Sequence, residues 1–373
     1  MIFMKRSKAG RLIRHVIPFK KKKAPLSIIH FITNRCNARC NHCFIYYNES
    51  ARKKNPRYNE FSELDLNEIE KITKSFSGKL GAVYLTGGEP FLRDDITDIV
   101  GYYIKNSGVS FVSIMTNGFL YNEISKKIGL LCSSYNNANF YVCISIDNYK
   151  KKHDKNRNLR NSFENAIKTY HILKEMNLSN LSINVNITVS NQSTRELILL
   201  YNFLIKTGIN SITCGALRSR PKERMKFNFN GYKKLANLVM RDIKKGKLVS
   251  FRGFFGADML NAKNLALWKR LFTELKENRF IAPCHAGSAL GVIHANGDVY
   301  PCEILDMRIG NVRDYNYDFL RLWNSKQAEN TRKYIRKIKC HCSFECAWSQ
   351  NIFVEPRNWP ILLKEYMKIK VGC

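Results

Sequence analysis

The sequence predicts an α/β protein: a partial, TIM-like (β/α)6 barrel followed by a small cysteine-rich domain. Three observations carry that prediction. Strand-like and helix-like segments alternate six times between about residues 26 and 217. The residues of unusual chemistry fall just after the strand-like segments, where parallel α/β sheets assemble their sites. Beyond about residue 220 the alternation stops, and cysteines concentrate from Cys284 onward.

Taken in order, "LSIIHFIT" reads as a first strand that runs into the loop "NRCNARCNHC". "FSELDLNEIEKITKSF" reads as a helix with Ser62 as N-cap, Asp65 at the capping-box position, and Leu66, Ile69, Ile72 and Phe76 on one face. "AVYLTGGEP" is a strand entering a glycine loop, "ITDIVGYYIKNSG" a helix ended by glycine, and "VSFVSIMTNG" a third strand. "NEISKKIGLLC" is helical, "NFYVCISIDN" a fourth strand, and "SFENAIKTYHILKEM" a helix burying Phe163, Ala166, Ile167, Tyr170 and Leu173. "LSINVNITVSN", "TRELILLYNFLIKTG" and "INSITCGAL" supply a fifth strand, a helix and a sixth strand. Such a succession requires parallel strands joined by helical crossovers. The turn-prone, basic "RSRPKER" marks a boundary near residues 217 to 225. The expected organisation is a basic extension (1–24), a core barrel (25–217), a helical linker (218–283) and a cysteine-rich domain (284–373).

At 373 residues the chain can bury a large α/β domain and a smaller one. No apolar run reaches the length of a membrane span, and the amino-terminal stretch is too interrupted by charge for a secretory signal. A cytoplasmic setting follows, in which the 12 cysteines read as metal ligands or buried thiols rather than disulfides. The net charge of +32 suits a nucleic acid, an anionic membrane or an acidic substrate, and equally a lysine-rich surface set by host composition. Basic residues gather only at Lys20, Lys21, Lys22 and Lys23, behind a short amphipathic stretch that would hold an anionic bilayer weakly. No firm nucleic-acid signal accompanies them.

Cys36, Cys40 and Cys43 are spaced C-x3-C-x2-C. Three thiolates on a four-iron cubane leave one iron open to a small molecule. The competing reading is zinc, with His42 or a distant residue as fourth ligand.

"CNARCNHC" resembles the signature of the radical S-adenosylmethionine (SAM) superfamily, with His42 in place of the usual aromatic. "TGGEP" is similar to that family's SAM-amino motif, and "SIDNYKKKHDKNRN" to a downstream block, with Asn148 replacing its glycine. The resemblance implies a [4Fe-4S] cluster on Cys36, Cys40 and Cys43, completed by the amine and carboxylate of SAM. One-electron reduction would then release a 5′-deoxyadenosyl radical that removes a hydrogen atom from an unactivated C–H. It further implies SAM contacts from Gly87, Gly88 and Glu89, from Ser145 and Asn186, and from Lys168, which is equally read as a solvated surface lysine. His153, Asp154 and Arg157 match the block or merely organise its loop.

Cys284 and Cys302 flank Gly297 as C-x12-G-x4-C, with a hairpin turn at Asn-Gly-Asp, and Cys340, Cys342 and Cys346 follow as C-x-C-x3-C. This resembles a contracted SPASM/twitch extension, which implies one auxiliary iron–sulfur cluster, a spare among the last three cysteines, and Cys373 as a poor terminal candidate. A structural zinc knuckle is the alternative. Cys132, Cys143 and Cys214 read as buried thiols, although Cys214, at the end of strand six, is also placed to return a hydrogen atom to a substrate radical.

The resulting expectation is an oxidoreductase acting on a peptide, a protein or a small organic molecule, anionic substrates included, and fed by a flavodoxin or ferredoxin. Only about 25 residues precede the first strand, too few for a leader-binding domain. Two other readings remain: a non-catalytic electron-transfer or binding protein, which the intact Gly87-Gly88-Glu89 opposes, and an RNA-modifying enzyme without an accessory module. No general base is legible.

Overall fold

A computed structural model of the protein describes residues 24–43, 63–218, 227–249, 251 and 256–371. The basic extension, Ser62, most of the "RSRPKER" boundary and Cys373 lie outside the described residues.

Six strands run in parallel: β1 (Ser27–Thr33), β2 (Ala82–Gly87), β3 (Phe111–Thr116), β4 (Asn139–Ser145), β5 (Leu181–Val189) and β6 (Ile212–Ala216). Between them come α1 (Leu66–Ser75), α2 (Ile96–Ser107), α3 (Tyr121–Ser134), α4 (Lys151–Arg157), α5 (Ser162–Glu175) and α6 (Thr194–Lys206). Apolar residues of these helices pack on the outer face of the sheet, as at Ile69 and Ile72 of α1 and Leu197, Leu200 and Leu204 of α6. The alternation is the predicted one, with α4 added inside the "KKHDKNR" segment. Its seven residues carry too little periodicity to announce a helix.

α1 begins later than expected. Asp65, not Ser62, is its N-cap: the Asp65 carboxylate accepts from Glu68 N at 2.8 Å, and the Glu68 carboxylate accepts from Asp65 N at 2.9 Å. Asp65 and Glu68 satisfy each other's orphan amide groups, so the helix starts where that reciprocal pair closes.

Two helices follow, α7 (Phe229–Lys244) and α8 (Ala257–Glu277), and then the cysteine-rich segment. Its first strand, β7 (Leu290–Ile293), pairs in parallel with β1, Ser27 against Leu290. β8 (Asp298–Tyr300) returns antiparallel through the predicted turn, with Gly297 at φ 86°, and β9 (Gly310–Asn311) pairs with β8. The order β6-β5-β4-β3-β2-β1-β7-β8-β9 is therefore one sheet. β1 spends its second edge on β7 rather than on β6, which leaves the six-stranded barrel open on one side. α9 (Phe319–Trp323), α10 (Lys326–Lys337), α11 (Glu345–Val354) and α12 (Trp359–Val371) complete the chain. α8 packs against α11 and α12.

Among the described residues no helix is long and apolar enough to cross a membrane.

Candidate active site: a cavity between two sets of cysteines

Inside the curved sheet lies a cavity of about 960 Å³. Its wall includes Cys36, Cys40 and Cys43 near the carboxyl ends of the strands, and the cavity faces of α8 and α11 on the open side of the barrel.

The cysteine loop follows a register shift in β1 between Phe31 and Thr33. The "TGG" turn after β2 runs directly against it. Gly88 N donates to Thr33 O and Glu89 N to Arg35 O, both at 2.8 Å. A Cβ on Gly87 would stand 2.2 Å from Thr33 O, and one on Gly88 would stand 2.0 Å from Arg35 O. Only glycine permits that approach, and Gly87 also sits at φ 138°. Gly87 and Gly88 line the cavity. The Glu89 carboxylate is turned away and accepts from Thr116 Oγ1 and Asn117 N at 2.8 Å each and from Phe91 N at 3.2 Å. It braces the turn to the end of β3, while burial pushes it up to about 7 against those bonds.

The other flank of the cysteine loop rests on the end of α4. Arg39 N donates to Arg157 O at 3.0 Å and Asn41 N to Asn156 O at 2.9 Å. The Arg157 guanidinium pairs with the buried Asp147 carboxylate and reaches Cys40 Sγ at 3.6 Å. Burial alone would raise Asp147, but Arg157 first and then His42 outweigh it and hold the carboxyl at about 2. His153 Nδ1 accepts from Asp147 N at 3.2 Å, and Asp154 accepts from Asn161 N and Phe163 N at 2.8 Å each. His153 and Asp154 therefore organise the loop, whereas Arg157 touches Cys40 of the triad. His42 has Asn156 Nδ2 at 2.9 Å from Nδ1 and Asp147 at 3.6 Å from Nε2, so both its nitrogens are engaged and neither is offered as a fourth ligand.

Ser145, Asn186 and Cys214 line the cavity. Lys168 does not. It lies on the exposed side of α5, its ammonium 3.8 Å from the centre of the Tyr121 ring, because its position on that helix faces away from the sheet. That placement suits the reading of Lys168 as a solvated surface lysine, the alternative to a SAM contact. Cys132 is a core residue, and Cys143 lines the cavity with Asn184 Nδ2 3.4 Å from its sulfur.

The carboxyl-terminal cysteines divide between the two faces of α11. Ala347, Trp348 and Asn351 turn toward a small recess with Cys284, Cys340 and Cys342. Burial first, and then Cys340 and Cys302, pushes the Cys284 thiol up to about 12; burial, Cys284, Cys302 and Cys340 raise Cys342. Four sulfurs thus stand close enough to oppose one another's ionisation. Cys346, Ser349, Gln350 and Phe353 turn instead toward the large cavity, at the i, i+3, i+4, i+7 spacing of one helical face. The charged groups about Cys346 are Arg218, Glu303, Glu345 and Lys263, with Arg218 Nη2 3.8 Å from its sulfur.

Those four residues were not singled out in the sequence. Glu303 is buried and ion-paired with Arg218. Glu345 accepts from Ala216 N at 2.7 Å, and burial pushes it up to about 7 against the pull of Arg218. The available signal was position, since Glu303 follows Cys302 and Glu345 precedes Cys346; Arg218 and Lys263 carried none.

Among the described residues no three His, Cys, Asp or Glu side chains converge tightly enough to hold a single metal ion. Iron–sulfur clusters are held by cysteine thiolates, and both cysteine sets supply that donor chemistry. Ala38 N lies 3.4 Å from Cys36 Sγ, Leu305 N 3.2 Å from Cys302 Sγ, and Arg157 beside Cys40, so sulfur charge is met by donors already in place.

A triad of thiols at the carboxyl end of a parallel half-barrel, with a second set behind one wall of the same cavity, defines an iron–sulfur enzyme with an open cluster. Comparison with known proteins specifies the family. Residues 31–204 match the radical SAM superfamily model, and residues 284–347 match the SPASM iron–sulfur cluster-binding domain. The chain is 30% identical over 344 residues to a cysteine-type anaerobic sulfatase-maturating enzyme of Clostridium novyi, covering 85% of this chain and 83% of that one. It is 27% identical over 196 residues to an Fe-coproporphyrin III synthase of Methanosarcina barkeri, spanning 52% of this chain and 44% of the relative. Among solved structures, native anSMEcpe with bound AdoMet superposes with a TM-score of 0.59 at 18% identity over 93% of this chain and 99% of that one. Streptococcus suis SuiB bound to S-adenosylmethionine superposes at 0.57 and 16% identity, over 88% and 72%. The chain belongs to the radical SAM superfamily and carries a SPASM domain. It is an enzyme that cleaves SAM reductively and abstracts hydrogen, with a [4Fe-4S] cluster, SAM and auxiliary iron–sulfur as its cofactors, and it draws its electron from a reductant.

Proposed function

We propose that the enzyme oxidises a side chain of a peptide or protein segment by two electrons. The observation that carries this reading is the double role of α11, one face on the large cavity and the other on the recess of Cys284, Cys340 and Cys342, whose ionisation Cys302 also opposes. Substrate and auxiliary centre would share a single helix as their partition.

In this reading Cys36, Cys40 and Cys43 hold the SAM-binding cluster, Cys284, Cys302, Cys340 and Cys342 hold an auxiliary one, and the division into a 25–217 core and a domain from residue 284 follows. When bound, SAM and its cluster supply the radical that takes the hydrogen atom, and the auxiliary cluster supplies a sink for the second electron. The chain supplies the rest. Gly87, Gly88, Ser145 and Asn186 line the space for SAM. Glu303, held against Arg218, accepts the proton that leaves with that electron. Cys214 stays a thiol, raised by burial and by Glu345, and would return a hydrogen atom only in a redox-neutral variant of the reaction.

The cavity lies at the upper end of the ~300–1,000 Å³ range of small-molecule sites, with room for SAM and a second group. The sulfatase-maturating relative supports a protein substrate. A cytoplasmic flavodoxin or ferredoxin is the proposed reductant, and contact of the basic amino terminus with an anionic membrane stays a subsidiary proposal.

The test is anaerobic. Reconstituted enzyme with SAM and dithionite is offered synthetic peptides deuterated at single side chains. Deuterium in 5′-deoxyadenosine and a peptide short of two hydrogens support the reading, and Cys40→Ala loses both. Glu303→Gln should keep deuterium transfer but suppress the oxidised product. Oxidised peptide formed by Glu303→Gln at the wild-type rate would sink the assignment of the base.

A further inference from the structure

The face that α8 turns to the cavity is built from Met259, Leu260, Leu267 and Trp268, with two polar exceptions, Lys263 and Asn264. Lys263 is only 8% exposed. Its ammonium lies 3.1 Å from Ser349 Oγ and 5.9 Å from the centre of the Phe251 ring. The other cavity-lining guanidinium groups have carboxylate partners, Arg157 with Asp147 and Arg218 with Glu303. Among the described residues Lys263 has no ion pair.

A buried ammonium solvated by one hydroxyl and the edge of a ring's reach is poorly compensated. Burial pulls Lys263 down to about 8 against the opposing influence of Cys346, so it still carries its proton at neutral pH. Such a charge persists at low cost where a ligand brings the counter-ion. We propose that Lys263, with Ser349 and Asn264, anchors a carboxylate of the substrate. The inference rests on the cavity being the substrate site of the proposed reaction, and it adds a chemical class to it.

Two observations assign the anion to the substrate rather than to SAM. Phe251, beside Lys263, stacks on Tyr141 with ring centres 5.2 Å apart and lies 6.4 Å from Phe111. Phe111 opens β3 and Tyr141 is in the first half of β4, while the cysteine loop, Gly87 and Gly88 lie at the opposite strand ends. At ~3.3 Å rise per residue, the five steps from Phe111 to Thr116 span roughly 17 Å, so the Phe111 ring that Phe251 approaches stands well away from the loop of Cys36, Cys40 and Cys43, and the ionisable group that acts on Lys263 from the other side is Cys346. One ammonium, a hydroxyl and an amide balance a single charge. A phosphate dianion would leave a charge uncompensated, which favours the side-chain or terminal carboxylate of a peptide.

Fragment binding tests this without turnover, so it succeeds or fails independently of peptide oxidation. Hexanoate, hexanamide and butyl phosphate are titrated into cluster-loaded, SAM-bound protein by ligand-observed NMR. Hexanoate should bind roughly tenfold or more tighter than hexanamide in the wild type. The preference should vanish in Lys263→Met and survive in Lys263→Arg, with iron content and visible spectra showing each variant folded and loaded. Equal binding of the two, binding of neither, or a preference unchanged in Lys263→Met would overturn the proposal. A stronger preference for butyl phosphate would overturn the carboxylate class.

Discussion

The two cysteine regions reach the same kind of chemistry by different routes. Cys36, Cys40 and Cys43 lie within eight consecutive residues, and the loop that carries them is clamped by backbone bonds from its neighbours, Gly88 N to Thr33 O and Arg39 N to Arg157 O. The carboxyl-terminal set is gathered from Cys284, Cys302, Cys340 and Cys342, and its membership depends on which way a helix is turned. Local spacing settles the first site. The second is settled by tertiary packing, because Cys342 and Cys346 are separated by only three residues yet face different spaces.

The sharpest way to break that contrast is to compare those two residues. Cys342→Ala should remove the auxiliary cluster, seen as loss of iron and of its EPR signal, while SAM cleavage persists. Cys346→Ala should retain both clusters. If Cys346→Ala loses the auxiliary cluster and Cys342→Ala keeps it, α11 does not divide the cysteines as its two faces indicate.

This contrast also explains what was legible in the sequence. All six parallel strands and five of their helices announced themselves by periodicity, because each buries one continuous face against the sheet. The triad and the glycine turn were equally plain, since their spacing and composition answer to backbone approach within a few residues. The joining of β7 to β1 was not, because a four-residue apolar strand carries no mark of its partner. In the sequence Lys168 stands between two readings for the same reason: helical position alone does not tell a cavity lysine from an outer one. Lys263 is the converse case, an ordinary lysine in an amphipathic helix until Ser349 and Phe251, from other parts of the chain, are set beside it.

An intermediate effect is expected at the local site. Arg157 links Asp147 to Cys40 Sγ and so positions, through charge and hydrogen bonding, a thiol that the proposed function assigns to the cluster. Arg157→Met should lower the rate of 5′-deoxyadenosine formation by about 10–100-fold, the usual cost of losing a group that orients a metal ligand. The cluster's reduction potential should shift negative as the thiolate loses its donor. Arg157→Lys should recover part of both. An unchanged potential with reduced activity would assign Arg157 to loop folding alone.

The smallest effect concerns whether the two regions unfold together. Glu68 caps α1 and also receives Arg313 at 2.7 and 2.9 Å and Tyr317 Oη at 2.9 Å, so one carboxylate ties the barrel to the segment after β9. Burial opposes its charge, but the hydrogen bonds from Arg313 and then Asp65 N prevail and hold Glu68 at about 2. Its folded value lies below the ordinary one of 4.5, so its contribution is complete above about 4.5 and is lost as pH falls through about 2. Glu68→Gln should cost roughly 1–2 kcal/mol at neutral pH, since the amide keeps some bonds but not the charge. The variant and wild-type denaturation curves should converge in acid. Because β7 shares the sheet with β1, that loss should appear as a shift of one cooperative transition. A separate early transition confined to the carboxyl-terminal segment would mean that the shared sheet does not make the two cysteine regions one folding unit.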